Sequence, residues 1–161
     1  MAGTAEHIVK SYQQELNQLR GLVTEMGGIV ENQVAMAAKA FTLRDADAAT
    51  KVMEEDPRVD ALERQVEQFV IRLLALRQPV AGDLRQIVAA LKMTGDLERI
   101  GDYAANVAKR SIVLDQFSTP YSLGGLAHMA RLAQENLKLV IDAVGESSAE
   151  KAEEVCARTR R

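Results

Sequence analysis

Apolar side chains return along this chain every three or four residues over long stretches, the pattern of helices that each bury one stripe. The first stripe is Ile8, Tyr12, Leu16, Leu19, Val23, Met26 and Val30, which predicts a helix from about Ala5 to Thr42. Such a stripe marks plain core rather than a cofactor pocket. Gly27 and Gly28 fall inside it. Each disfavours a helix interior by about 1 kcal/mol relative to Ala, so the pair implies a close approach, spare room or a kink. Leu43-Arg44-Asp45 reads as a turn, with Asp45 or Asp47 capping a second helix that runs to about Leu76. Its inward positions are Val52, Val59, Leu62, Val66, Phe69, Val70 and Leu73, and Pro57 predicts a kink or a restarted turn near Asp56. After Arg77-Gln78-Pro79 a third helix is expected to about Asp115. Pro79 suits its first turn, Asp83 complements its dipole, and Leu84, Ile87, Val88 and Leu91 form its buried stripe. The run Gln116 to Ser122 is the clearest break. Ser122 is expected to cap a fourth helix carrying Leu126, Met129, Leu132, Leu137, Val140 and Ile141 to Gly145, and Ser147-Ser148-Ala149-Glu150 reads as the capping box of a fifth, ending at Arg161.

The polar positions add a second pattern. Glu98 and Asp102 are four apart, on one face of the third helix, and Asp56, Asp60, Glu63 and Glu67 make an acidic row on the second. Alone, that row reads as a solvated face. The short connection at Pro79 makes the second and third helices antiparallel neighbours. Folding the chain there sets Asp56 across from Asp102 and Asp60 across from Glu98, on two levels ~6 Å apart at the helical rise. Folding the first helix back about Arg44 places Gly28 opposite Asp60 and Asn32 opposite Asp56. Carboxylates converging in a partly buried site repel one another, and either pointing out to water or binding cations relieves this. An oxygen-only donor set favours magnesium, calcium, manganese or iron over structural zinc.

Composition fits this reading. In 161 residues, hydrophobic side chains make up 47% and aromatics 4%, with no Trp and 3 Pro, which is the make-up of an all-α chain packed on small aliphatic residues. A net charge of −3 gives no basic footprint for nucleic acid. No apolar run approaches the ~20 residues of a membrane span, and the N-terminus lacks the apolar core of a signal peptide. The single cysteine, Cys156, excludes an internal disulfide, suits a reducing compartment and reads as a small buried residue; cytoplasm is the default. There is no GxxxxGK[ST] phosphate loop. Arg77 and Arg85 flank a helix N-terminus that could attract an anion, although ordinary surface pairing accounts for them as well. A carboxylate-bridged di-iron oxidase would need Glu-x-x-His pairs, and neither His7 nor His128 has a Glu three residues before it. His128 and Tyr103 read as ordinary helix residues, the tyrosine through packing. A metal-free helical adaptor stays open.

A weak internal repeat, offset by 103 residues, lays 40–52 over 143–155 and matches Ala40, Ala49 and Val52. The fourth and fifth helices thus look like the start of a second three-helix unit. At this point the segments MGGIVE (26–31), RQPVAGDLR (77–85) and DLERIGDYAANVA (96–108) resemble the signatures of the PhoU family, in order and over almost the entire chain. The resemblance implies an all-α, PhoU-like antiparallel three-helix bundle at 1–115, followed by an incomplete second repeat at 122–161. It implies Glu/Asp-x-x-x-Asp pairs that hold a multinuclear metal cluster of iron, manganese, magnesium or zinc, with no organic cofactor. By position these are Asp56, Asp60, Glu98 and Asp102, the same four that the hairpin brings level. It implies a non-enzymatic regulator of phosphate uptake and phosphate-starvation signalling that represses when phosphate is plentiful. Its partners would be the phosphate ABC transporter ATPase and a sensor histidine kinase. Such a protein is a homodimer of the cytoplasm that meets the inner membrane only through those partners. Thr159 stands where the repeat would place a counterpart of Asp56, and no sixth helix follows, so a second metal site is not expected. The expectation is a C-terminally truncated chain, or one whose missing half comes from a second copy.

Overall fold

In the computed structural model each predicted stripe becomes one side of a helix. The structure describes residues 2–117 and 124–159, with side chains within 10–117 and 125–159. Helices α1 (Ala2–Leu43), α2 (Ala46–Arg77) and α3 (Ala81–Asp115) each pack on the other two. Helix α4 (Gly124–Glu146) lies on α1, and α5 (Ala149–Thr159) lies on α4. Among the described residues there is no strand, and no helix is long and apolar enough to cross a membrane.

The local reasons are mostly those of the sequence. Asp45 caps α2, its carboxylate accepting from the Ala48 N–H at 2.9 Å while Lys39 pairs with it at 2.7 Å. Helix α2 continues through Pro57 without a break. It ends at Gln78, whose left-handed φ of 45° turns the chain into α3. Helix α3 starts at Ala81, so Pro79 precedes its first turn rather than opening it; Asp83 is in that turn. At α5 the cap is Ser148, whose Oγ accepts from the Lys151 N–H at 3.2 Å; Ser147 instead takes a left-handed φ of 54°, so the box expected at Ser147 is displaced by one residue. The expected cap at Ser122, residues 118–122 of the break and the side chains of His7 and Ile8 lie outside the described residues.

Every inward position expected on α2 is buried, as are Leu16, Leu19, Val23, Met26 and Val30 on α1. Helix α3 departs from expectation. Ile87 is fully buried, but Leu84, Val88 and Leu91 are 41%, 39% and 37% exposed. The face turned to the bundle is instead Ile87, Ala90, Thr94, Leu97, Gly101, Ala104, Ala105, Ala108 and Ser111. Small side chains let three helix axes approach closely, and that requirement outweighs burying every large apolar group. Similarly, α4 buries Leu137 and Ile141 while Leu126, Met129, Leu132 and Val140 stay exposed. Cys156 is exposed and the buried residue of α5 is its neighbour Val155; Tyr103, expected to pack, is 64% exposed.

The glycine pair separates into two roles. A Cβ on Gly27 would lie 2.3 Å from Cδ1 of Ile141, so this glycine lets α4 lie against α1. Gly28 has nothing within 4 Å of that position. Gly27→Ala must therefore displace Ile141, an overpacking cost of about 1–3 kcal/mol that exceeds the gain in helix propensity. Gly28→Ala keeps that gain, up to about 1 kcal/mol. Urea melts are expected to show opposite signs for the two variants, and equal signs would refute this packing.

The apolar core is in two parts. The larger runs from Leu16 to Val30 on α1 with Val59 to Leu73 on α2 and Ile87 to Leu97 on α3, joined by Leu137 and Ile141 of α4. The smaller gathers Ala37 and Ala40 with Ala48, Ala49 and Val52 and with Ala104, Ala105 and Ala108.

Candidate functional site

Helices α2 and α3 bring the acids together in the register that the hairpin requires. A Cβ on Gly95 would be 3.9 Å from Oε1 of Glu63, and one on Gly101 would be 3.5 Å from Val59. Asp56, Asp60 and Glu98 are half-buried, and Asp102 is exposed. Burial raises the Asp56 carboxyl above its ordinary range, and the charges of Asp102 and then Asp60 raise it further; Lys109 and the Gln33 amide pull the other way. Glu98 is raised by burial and then by Asp102, Glu63 and Asp60, against Arg99. Glu63 is raised by burial and then by Glu67 and Asp60, with Asp102 adding to it and Arg64 opposing. Asp56 thus feels the charge of Asp102, and Glu98 that of Asp60, the partners that the hairpin register sets across from them. Among the described residues none of the four acids has a Lys or Arg within ion-pair distance.

Among the described residues no three Asp, Glu, His or Cys side chains converge closely enough to hold one ion. The donor chemistry nevertheless suits a hard cation. All four groups are carboxylates, and among the described residues no paired cation neutralises them and a buried carbonyl oxygen near Asp56, Oε1 of Gln33, has no partner.

The expected neighbours from α1 are corrected. Asn32 donates to Glu55 at 3.2 Å on the surface rather than facing Asp56, and Gly28 is exposed rather than set against Asp60. The α1 residue beside Asp56 is Gln33, one position further on and fully buried. The sequence does contain its signal. Met26, Val30, Gln33 and Ala37 are at spacings of four, three and four, so a polar residue occupies an inward position of the apolar stripe. Glu63, named in the acidic row but not among the four, faces the same group of charges. Arg77 is already taken up by an anion of the chain itself, the Glu15 carboxylate. Its Nε and Nη2 donate to Glu15 at 2.7 and 3.0 Å, and Nη2 also donates to Ser11 at 3.1 Å. His128 is exposed beside Arg131.

Comparison with known proteins agrees with this architecture. The family model described as PhoU domain matches residues 23–111. A relative from Caulobacter vibrioides, named phosphate-specific transport system accessory protein PhoU homolog, is 45% identical over 148 residues. That match covers 91% of this chain and 64% of the relative. A relative of the same name from Rhizobium meliloti is 39% identical, covering 92% of this chain and 63% of its own length. This chain therefore spans a little under two thirds of these relatives. The crystal structure of PhoU from Pseudomonas aeruginosa superposes with a TM-score of 0.85 at 35% identity, covering 89% of this chain and 69% of that one.

Proposed function

The chain belongs to the PhoU family, and from that premise we propose that it regulates phosphate uptake and phosphate-starvation signalling through protein contacts. It represses the starvation response when phosphate is plentiful, and it catalyses no reaction. Its partners are the phosphate ABC transporter ATPase and a sensor histidine kinase, and it reaches the membrane only through them. The observation that carries this is the 45% identity, across 91% of the chain, to a protein named for the phosphate-specific transport system. The exposed apolar row Leu84, Val88 and Leu91 supports a protein that works by contact.

Within the same reading Asp56, Asp60, Glu98 and Asp102 hold metal cations, iron, manganese, magnesium or zinc, which neutralise the repulsion among them. A second reading, a metal-free helical adaptor, is favoured by one observation: among the described residues no three ligating side chains converge. The cation reading requires the carboxylates to rotate inward.

Expression in a bacterium lacking its own homologue tests the regulatory reading. At high phosphate, a starvation-responsive reporter is expected to fall from its derepressed level towards that of the intact strain. A reporter that stays fully on, with the protein present and folded, would refute the proposal.

A further inference from the structure

Gln33 sits where the apolar core stops and starts again. On α1 it lies between Val30 of the larger cluster and Ala37 of the smaller, just as Asp56 lies between Val59 and Val52 on α2 and Gly101 between Leu97 and Ala104 on α3. Gln33 and Asp56 interrupt the apolar core at one level, and Gly101 leaves the space beside them. Gln33 is 0% exposed, and a buried amide is unfavourable unless it is bonded. Its Nε2 donates to the Val52 carbonyl at a long 3.5 Å, and its Oε1 has no partner among the described residues. Gly101 makes the room, since a Cβ there would stand 2.9 Å from that oxygen.

Packing alone does not account for a glutamine here. A methionine has the same length, fills the same space and leaves no acceptor orphaned. What the amide adds is a donor aimed at one particular turn of α2. Pro57 has no N–H to offer and its ring crowds the carbonyl of Met53, so one helical hydrogen bond is missing at this turn although α2 continues through it. Gln33 meets it from α1 at the Val52 carbonyl, with the Asp56 carboxylate one turn further along.

We infer that Gln33 is the positioning residue of the acidic face: its buried amide braces the Val52–Pro57 turn and so sets the height at which Asp56 confronts Asp102. This rests on the cation reading above, because the use of that height is to place Asp56 as a ligand. Gln33 itself touches no ion in this scheme. Groups that act on ligands from behind typically alter affinity without supplying a donor.

The test is Gln33→Met in the full chain, with Mn(II), Fe(II), Mg(II) and Zn(II) titrated calorimetrically and the metal-free melting temperature recorded. The expected result is about tenfold weaker binding of whichever ion the wild type takes up. The metal-free melting temperature shows that the variant folds: losing the contact to Val52 lowers it and losing an orphaned buried acceptor raises it. A merely structural glutamine would leave affinity unchanged whatever the melting temperature does, and unchanged affinity overturns the inference. If the wild type binds none of the four ions, the cation reading falls and this inference with it; the wild-type arm alone identifies that case. Should Gln33→Met fail to fold, the side-chain amide resonances of Gln33 serve instead. They are expected to shift in Asp56→Asn and stay in place in Asp60→Asn, and no shift in Asp56→Asn overturns the inference.

Discussion

Wild-type protein exchanged into chelator-free buffer and supplied with Mn(II) is expected to unfold at a higher temperature than the same protein without it, and Asp60→Asn/Asp102→Asn is expected to lose that gain. At a free ion concentration a hundredfold above Kd, a ligand bound only by the native state adds about 2.7 kcal/mol. The choice of residues follows from the site. Asp60 and Asp102 each contribute to the raised carboxyls of Asp56, Glu63 and Glu98, so removing both charges relieves all three. The double variant without metal should therefore be more stable than the metal-free wild type, while elemental analysis finds its bound metal gone. The pH dependence has a definite sign. These three carboxyls are raised in the native state, so on acidification the native protein takes up their protons before the unfolded chain does. Their contribution to stability grows as pH falls through the native values and is complete below the unfolded ones. Urea midpoints followed downward in pH should show this gain in the metal-free wild type and a smaller one in the double variant. No metal in either protein, even after refilling with manganese, iron, magnesium and zinc, would sink the cation site and leave an adaptor whose acids face water.

Ile87→Ala is expected to destabilise by about 2–5 kcal/mol, because its side chain is fully buried between α1 and α2 and the cavity cannot be filled by solvent. For a chain of this size that is a fall in melting temperature on the order of 10 °C. Leu84→Ala, three residues away on the same apolar run, should cost about 1 kcal/mol or less, since much of that side chain already meets water. Thermal melts of the two variants side by side distinguish the observed face of α3 from the stripe expected from sequence. Equal losses would mean that α3 is rotated so that Leu84, Val88 and Leu91 point inward after all.

That contrast shows where the chain is legible and where it is not. Helices α1 and α2 carry large aliphatic residues on their inner faces, so a search for apolar periodicity finds the right phase. Helix α3 carries alanine, threonine, glycine and serine there, and places three of its large residues outside. Hydrophobicity ranks small residues low, although close helix contact selects them, so the phase was misread. The register of the acidic residues was legible for a different reason: a short hairpin fixes which residues share a level whichever apolar side chains are buried. Gln33 was legible only in part: its inward place on the α1 stripe is written in the spacing, but its neighbour Asp56 depends on the phase of α1 relative to α2, which is a tertiary property. Cys156 fails on the same ground, as one residue of rotation in α5 exchanges it with Val155.

The order in which the helices lean on one another has a kinetic meaning. Helix α5 meets the rest of the chain through α4, and α4 reaches the bundle through α1, where Ile141 fills the notch left by Gly27. Supports arranged in series of this kind separate one by one, α5 from α4 and α4 from α1. Transient detachment of α5, or of α4 and α5 together, can occur as a sub-global event that leaves α1, α2 and α3 closed. The carboxylates lie within the part that stays closed, so whatever engages or releases the C-terminal helices does not by itself expose or dismantle them. Among the described residues α4 rests on the bundle through α1, and the seat of Ile141 at Gly27 is one of the contacts that hold it there.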